Sequence, residues 1–538
     1  MYMYVVPPVL AERKPAFRFD LLAPSSDTRE PLIKHHTFSI IISQHANTPA
    51  AGPAAHATCR LSLDCLANQH FLKQPVGSLL RSMTASECLD EIQTTLNACS
   101  LEVRGSALVV GCYQLNEAPS SPDTDDEARA DRATEQGQDG SDADGGGGGG
   151  GGNNCQSAMS TATRSGELRL YSVPTSSPHS SPKFGEPTQV LPMESGVLDA
   201  KWCPSAAASA GYLAAACASG SIHVHELSEG GGGGNHSHLE HVASSSVRCD
   251  QESHVTRLAL SLDWEKRRAA MDGDSVTEAN VSRKIVSSYS DGSLCLYRFH
   301  SDSTSLVEEE RWDAHTLFGC PSEVWTCCFA ASASTGGSVL SNDGNNLVLS
   351  GGDDCTLKLW DVRTDLSLPM AKVGGAEFDA GVTAVSYHPT VEHVAAVGSY
   401  DEVVRLYDVR NWKEPLCRIN VGGGVWRIRW HPKVDGRILV GAMHGGCRIV
   451  TVDGFGNRKG SESGAVLETH IESEFMKHES MAYGADWLVS EGIGGGATNG
   501  DGESSPSMIN EYAASCSFYD RRVCLWRSTN AKRTPRSN

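Results

Sequence analysis

Seven short segments of this chain repeat one pattern. A small or acidic residue opens a turn, apolar residues alternate after it, and an aromatic or other apolar residue usually stands six positions on. The fullest copy is Gly351-Gly352-Asp353-Asp354-Cys355-Thr356-Leu357-Lys358-Leu359-Trp360-Asp361, and Asp291 to Tyr297, Asp401 to Tyr407 and Asp520 to Trp526 keep the same step. Weaker copies run from Ser165 to Tyr171, Ser219 to His225 and His444 to Val450. A second short strand precedes each copy, as in Leu347-Val348-Leu349-Ser350 or Val394-Ala395-Ala396-Val397. Ahead of that comes a strand ending in aromatic-x-Pro or similar: Trp202-Cys203-Pro204, Tyr387-His388-Pro389, Trp430-His431-Pro432. Period-two alternation between turn residues predicts antiparallel strands. A self-similar unit of roughly 40 residues built this way predicts a propeller blade. One blade cannot bury both faces of its sheet, so the units must close into a ring. The expected fold is therefore all-β: a single seven-bladed β-propeller over residues 92–527.

Composition bounds what lies around that ring. Residues 1–91 show no clear period and are left as an N-terminal extension without an assigned fold; residues 528–538 are a C-terminal tail. The segment 116–163 interrupts the first blade and contains the glycine run Gly145–Gly152; 228–250 and 491–509 are similarly rich in Gly, Ser or Asn. Such segments bury too little apolar surface to offset their ordering entropy, so disordered surface loops are expected there. The formal net charge is −20, but ten acidic residues against two arginines between Glu117 and Gly152 account for eight of those charges. Acidity of this kind argues against a nucleic-acid partner, which needs clustered Lys and Arg. No apolar run approaches a membrane span, and no secretory signal is read at the N-terminus. The 18 cysteines are scattered, form no CxxC pair and often sit in apolar alternations, as small hydrophobes of a reducing compartment do. A cytoplasmic location is expected.

The repeat resembles the WD repeat, with the dipeptide itself at Trp360-Asp361. In that family the turn aspartate is structural, so Asp291, Asp354, Asp401 and Asp520 are read as blade residues and not as catalytic acids. Aligning inner strands on their late aromatic (Trp202, Phe329, Tyr387, Trp430, Trp487) places Leu198, Trp325, Thr383, Trp426 and Tyr483 four positions earlier, near one rim of the channel. Trp325, Trp426 and Tyr483 have two readings that the sequence leaves open: core between blades, or a cage whose ring faces attract a cation. Asp353, Tyr400 and Tyr519 each precede a turn aspartate and are expected near the same mouth, as are His315 and Glu323. The Gly422-Gly423-Gly424 run permits close backbone approach and is not a phosphate loop, since no helix with Lys-Ser/Thr follows.

Catalytic signatures are sparse. There is no GxSxG elbow and no HExxH. His236, His238 and His241 have metal-like spacing but follow polyglycine, and chance spacing is the favoured reading; no metal or cofactor is called for. His444 replaces the usual turn residue and is the candidate general base, with Arg427 as candidate partner for developing charge. Cys516 and Ser517 are nucleophile types for which strand burial is the favoured reading.

Narrower stretches carry a closer resemblance. Gly398-Ser399-Tyr400-Asp401-Glu402, Gly422-Gly423-Gly424-Val425-Trp426-Arg427-Ile428, Met443-His444, Tyr483-Gly484-Ala485-Asp486-Trp487 and Ser515-Cys516-Ser517-Phe518-Tyr519-Asp520 resemble the diphthine methyl ester hydrolases of diphthamide biosynthesis. Gly111-Cys112-Tyr113-Gln114-Leu115 and Leu260-Ser261-Leu262-Asp263-Trp264 do so too. The likeness spans about 105 to 527 and departs at residues 1–90, in the glycine-rich inserts, and between His315 and Trp325, where Gly319-Cys320-Pro321 are extra. It implies hydrolysis of a methyl ester on a modified histidine of translation elongation factor 2, beside a trimethylammonium group. No catalytic residue carries over from it. The rival class is a non-catalytic WD-repeat scaffold, or, from Trp360-Asp361-Val362-Arg363, a substrate receptor of a cullin-type ubiquitin ligase.

Overall fold

The alternating segments form antiparallel strands that, apart from the first, pair with their sequence neighbours in groups of four, in a computed structural model of the chain. Its described residues are 84–116, 163–174, 181–204, 211–228, 237–246, 257–266, 282–330, 346–391, 393–455, 467–491 and 509–529. Seven four-stranded blades follow one another, five as separate sheets and the last two joined into one eight-stranded sheet by Thr84–Gln93, which also pairs parallel with Glu468–Phe475 of blade six. Their inner strands are Asn97–Arg104, Val197–Trp202, Ala259–Trp264, Thr326–Phe329, Val382–Tyr387, Arg427–Trp430 and Ala482–Glu491, opening blades one to seven. No helix occurs among the described residues.

Ring closure shows in the apolar cores. Each of seven clusters is shared by two neighbouring blades. In one, Leu101, Leu108 and Val110 of blade one pack with Leu488, Ala514 and Leu525 of blade seven, so the last blade meets the first. Close approach between blades recurs through glycine. A Cβ on Gly351 would lie 2.4 Å from Val382 Cγ1, and one on Gly398 2.2 Å from Val425 Cγ1. The valine that opens the next inner strand thus seats on the bare backbone of the blade before it.

The seventh blade takes its outer strand from the other end of the chain. Thr84–Gln93 pairs antiparallel with Arg522–Ser528, from Ser86 opposite Ser528 to Gln93 opposite Arg522. The boundary expected at 92 therefore falls inside this closing strand. Two further expectations are corrected. The loop expected at 228–250 contains His238–Ser244, the outer strand of blade two, because Leu239 and Ala243 find buried places. Ser165 does not open a turn: it lies in Thr163–Ser172, opposite Gln114. The expected loops at 116–163 and 491–509, and residues 1–83 and 530–538, lie wholly or largely outside the described residues.

Candidate functional site at the channel mouth

A repeated irregularity builds the mouth. In five inner strands the ladder skips one residue near the start, between Ala98/Ser100, Val197/Asp199, Ala259/Ser261, Val382/Ala384 and Ala482/Gly484. A bulge leaves one residue unpaired and re-aims its side chain. The skipped residues are Cys99, Leu198, Leu260, Thr383 and Tyr483; Trp325 and Trp426 stand at the same place, one residue ahead of their strands. Sequence alignment found five of these seven positions. It missed Leu260, although Trp264 four residues on would have located it, and Cys99, whose strand has Val103 where the others carry an aromatic.

Three rings meet there at nearly equal spacing. Trp325 and Trp426 have centroids 5.8 Å apart, Trp325 and Tyr400 6.2 Å, and Tyr400 and Trp426 6.0 Å. Trp426 then lies 5.0 Å from Tyr483, and Phe518 links Tyr483 to Tyr113 and Tyr519. This cluster is separate from the seven interblade cores and includes Met443. Rings this close fill the space between themselves and form a platform. Trp325 and Tyr483 are buried, whereas Trp426 and Tyr400 are half-buried. Tyr519 is 45% exposed and reaches the platform only through Phe518. The glycine run works as expected: a Cβ on Gly424 would lie 3.1 Å from Met443 Sδ and 3.3 Å from Tyr400.

Negative charge borders the platform. Trp325 Nε1 donates to Asp353 Oδ1 at 3.1 Å. Burial, and after it the carboxylates of Asp353 and Glu323, push the Tyr400 phenol well above its usual range. Electron-rich faces beside two carboxylates favour a cation.

Beneath the rings the channel wall is ionic. Arg427 Nη2 pairs with Asp199 Oδ1 at 3.0 Å, and Lys201 Nζ reaches Asp199 Oδ2 at 3.0 Å. Burial pushes the Asp199 carboxyl up, but Arg427 and Lys201 outweigh it and hold it below its usual value. Arg429 pairs with Glu102. One cavity is lined both by Trp325 and Trp426 and by Lys201, Arg427 and Arg429. Arg427 Nε is buried without a hydrogen-bond partner among the described residues. His444 is exposed in the turn that follows Met443. No hydrogen bond among the described residues joins it to Arg427.

The remaining candidates have structural places. His315 is fully buried; its Nδ1 bonds Asp354 Oδ1 and its Nε2 bonds Ser350 Oγ, both at 2.8 Å, and Trp360 Nε1 donates to Ser350 Oγ. It fixes blade four and does not face the mouth. In blade seven His478 stands in the same network with one serine added: Nε2 meets Ser515 Oγ and Nδ1 meets Ser517 Oγ, each at 2.7 Å. Ser517, His478 and Asp520 look like a nucleophilic triad, but the order is wrong. Ser517 Oγ itself donates to Asp520, whereas a triad needs the carboxylate on the far nitrogen of the histidine. Burial pushes the Cys516 thiol far above its usual range, which leaves it inert. Arg363 is paired with its neighbour Asp361 at 2.6 Å, and Arg410 with Asp408 likewise.

The histidine spacing also resolves. His236 lies outside the described residues, His238 bonds Glu240, and His241 packs near His223 and His225. Among the described residues, donor atoms of three such side chains converge within 4.8 Å only at Cys88, Glu91 and Cys524. There Lys477 Nζ, 2.9 Å from Glu91, already supplies the positive charge.

Comparison with known proteins agrees with the fold. The WD domain, G-beta repeat family matches residues 312–361 and 372–408. Diphthine methyltransferase homolog of Dictyostelium discoideum is 29% identical over 64% of this chain and 79% of its own length. Diphthine methyltransferase of Homo sapiens is 33% identical over 54% of this chain and 56% of its own length. That of Schizosaccharomyces pombe is 26% identical over 68% and 87%. The chain thus spans most of the amoebal and fission-yeast relatives but just over half of the human one.

Proposed function

As a WD-repeat propeller whose curated homologues are named diphthine methyltransferase, this protein is, we propose, a methyl ester hydrolase that acts on methylated diphthine of translation elongation factor 2. The observation that carries the reading is the platform of Trp325, Tyr400, Trp426 and Tyr483 beside Asp353. A trimethylammonium group has no proton to donate and sheds water at little cost, so ring faces and a nearby carboxylate recognise it better than a hydrogen-bond acceptor would. The ester, a few bonds away, then falls within reach of the rim and the upper channel. Water attacks the acyl carbon, the bond to the methoxy oxygen breaks, and methanol leaves with the proton that the water gives up. His444 takes that proton in transit. Arg427, with a buried Nε free of partners among the described residues, faces the oxyanion. The homologues' name denotes methyl transfer; hydrolysis is the direction that the family resemblance implies.

The test is methanol release from elongation factor 2 bearing the methylated intermediate, with and without a chelator. A parallel arm offers the demethylated protein a methyl donor. Release in both chelation arms supports the hydrolase. Methyl uptake in the donor arm would reverse the direction, and substrate binding with neither reaction would favour the scaffold. His444→Ala is expected to lower turnover by roughly 10²–10⁴-fold, the usual worth of a general base. Unchanged turnover in a folded variant would remove His444 from the mechanism.

A further inference from the structure

Between blades three and four the chain makes a small hairpin that no blade uses. Thr316–Leu317 pairs with Cys320–Pro321, leaving the two-residue loop Phe318-Gly319. Both loop residues have positive φ, 52° at Phe318 and 81° at Gly319, the pattern of a type I′ turn. Asn or Gly is the usual first residue of that turn, because a bulky side chain is strained in the left-handed region. Phe318 is also 98% exposed, and Leu317 beside it 43%. The residue therefore bears a backbone cost that burial of its ring does not offset within the described fold. Strain of this kind persists where it serves a function.

The hairpin's root says which function. Its first strand follows His315, whose backbone N–H donates to Gly292 O; Ser322 N donates back to His315 O at 3.1 Å. Glu323 O accepts from Asp353 N, and Val324 N donates to Tyr289 O. Trp325 comes next. Phe318 is thus held out from the same rim that carries Trp325 and Asp353, on a base pinned to two blades. Tyr519, 45% exposed, precedes the turn aspartate of blade seven as Asp353 does in blade four.

We propose that the hairpin Thr316–Pro321 is a docking finger, and that Phe318 with Leu317 seats in an apolar cleft on the folded protein that presents the modified histidine. This rests on the reading of the mouth as the ester site. The platform holds the modified side chain, and the finger, projecting from the rim, meets the surface around it. Its occupant is then a folded surface with an apolar hollow beside the modified residue, not a free small molecule.

The experiment compares two substrates with the full-length protein: intact methylated elongation factor 2, and a short peptide carrying the same modified histidine. Phe318→Asn removes the ring and places in the turn the residue that suits its φ, so the melting temperature should hold or rise. The expected result is KM for the intact protein raised by about tenfold with kcat unchanged, the scale of one lost interface anchor. The peptide's kinetics should not move. An unchanged KM for the intact protein, with the peptide still hydrolysed, overturns the finger and leaves the ester site standing. Failure of the unaltered protein to hydrolyse either substrate overturns the ester site and the finger with it.

Discussion

Trp426 stands where a core residue and a binding residue read alike in sequence. Its neighbours set it apart from the interblade cores. The rings around it belong to the mouth cluster, and it lies outside the cores that join blades five, six and seven. It remains half-buried although Tyr483 is 5.0 Å away. Truncation should therefore cost more in binding than in folding. A desolvated cation–ring contact is worth about 2 kcal/mol, or roughly thirtyfold. Trp426→Ala should weaken substrate binding by that order while moving the melting temperature only a few degrees. Asp353→Asn should weaken it less, because the amide oxygen still accepts from Trp325 Nε1 while the charge is gone. Isothermal titration of both variants beside thermal melts checks this. A Trp426 variant that chiefly unfolds would return the ring to the core.

At the scale of elements, the closing strand was hidden in the sequence for a physical reason. Thr84–Gln93 reads TASECLDEIQ, with Leu89 and Ile92 turned toward one apolar cluster and Cys88 toward another. An outer strand has little to bury, and its partner Arg522–Ser528 lies at the far end of the chain. The inner and middle strands were legible because both their faces are buried between blades. The mouth was partly legible for the same reason: the late aromatic fixed the register, so Trp325, Trp426 and Tyr483 could be counted back from it. Phe518 and Tyr113 do not lie on inner strands, and no such count reaches them. His315 was misplaced because a loop residue gives no sign that its ring turns inward to Asp354. The strand's role is testable. Deleting residues 1–93 exposes the edge of blade seven and should lower the melting temperature by about 10 °C or more, with aggregation on heating. Glu87→Ala removes only a surface pair with Arg527 and should cost no more than about 1 kcal/mol. Equal melting of the deletion and the intact chain would mean that three strands suffice for the last blade.

Across the whole molecule, buried histidines make the ring sensitive to mild acid. Burial holds His225 and His431 near 3 and His388 and His478 near 4, against a usual 6.5. Because these folded-state values lie below the unfolded one, the unfolded chain takes up protons first as the pH falls. Their contribution is complete above about 6.5 and is lost progressively as the pH drops toward 4. Carboxylates such as Glu194, held near 2 against 4.5, begin to add their own loss only as the pH falls through about 4.5. His388 and His431 show why the charged form is excluded. Each follows the aromatic that ends an inner strand and precedes a proline, and each uses Nδ1 as an acceptor. His388 Nδ1 receives Thr390 N at 3.1 Å and Val391 N at 2.8 Å; His431 Nδ1 receives Lys433 N at 3.1 Å and Val434 N at 2.9 Å. A proton on Nδ1 would turn the acceptor into a donor facing two donors. Asparagine places an oxygen where that nitrogen stands and does not titrate. Denaturant unfolding from pH 7.5 to 4.5 should therefore show a steep loss of stability that the double variant His388→Asn/His431→Asn flattens. The two sites can account for up to about 3 kcal/mol per pH unit, at 1.36 kcal/mol each. An unchanged slope would mean that both rings charge in the folded ring without cost, and that the turns after the inner strands of blades five and six do not depend on them.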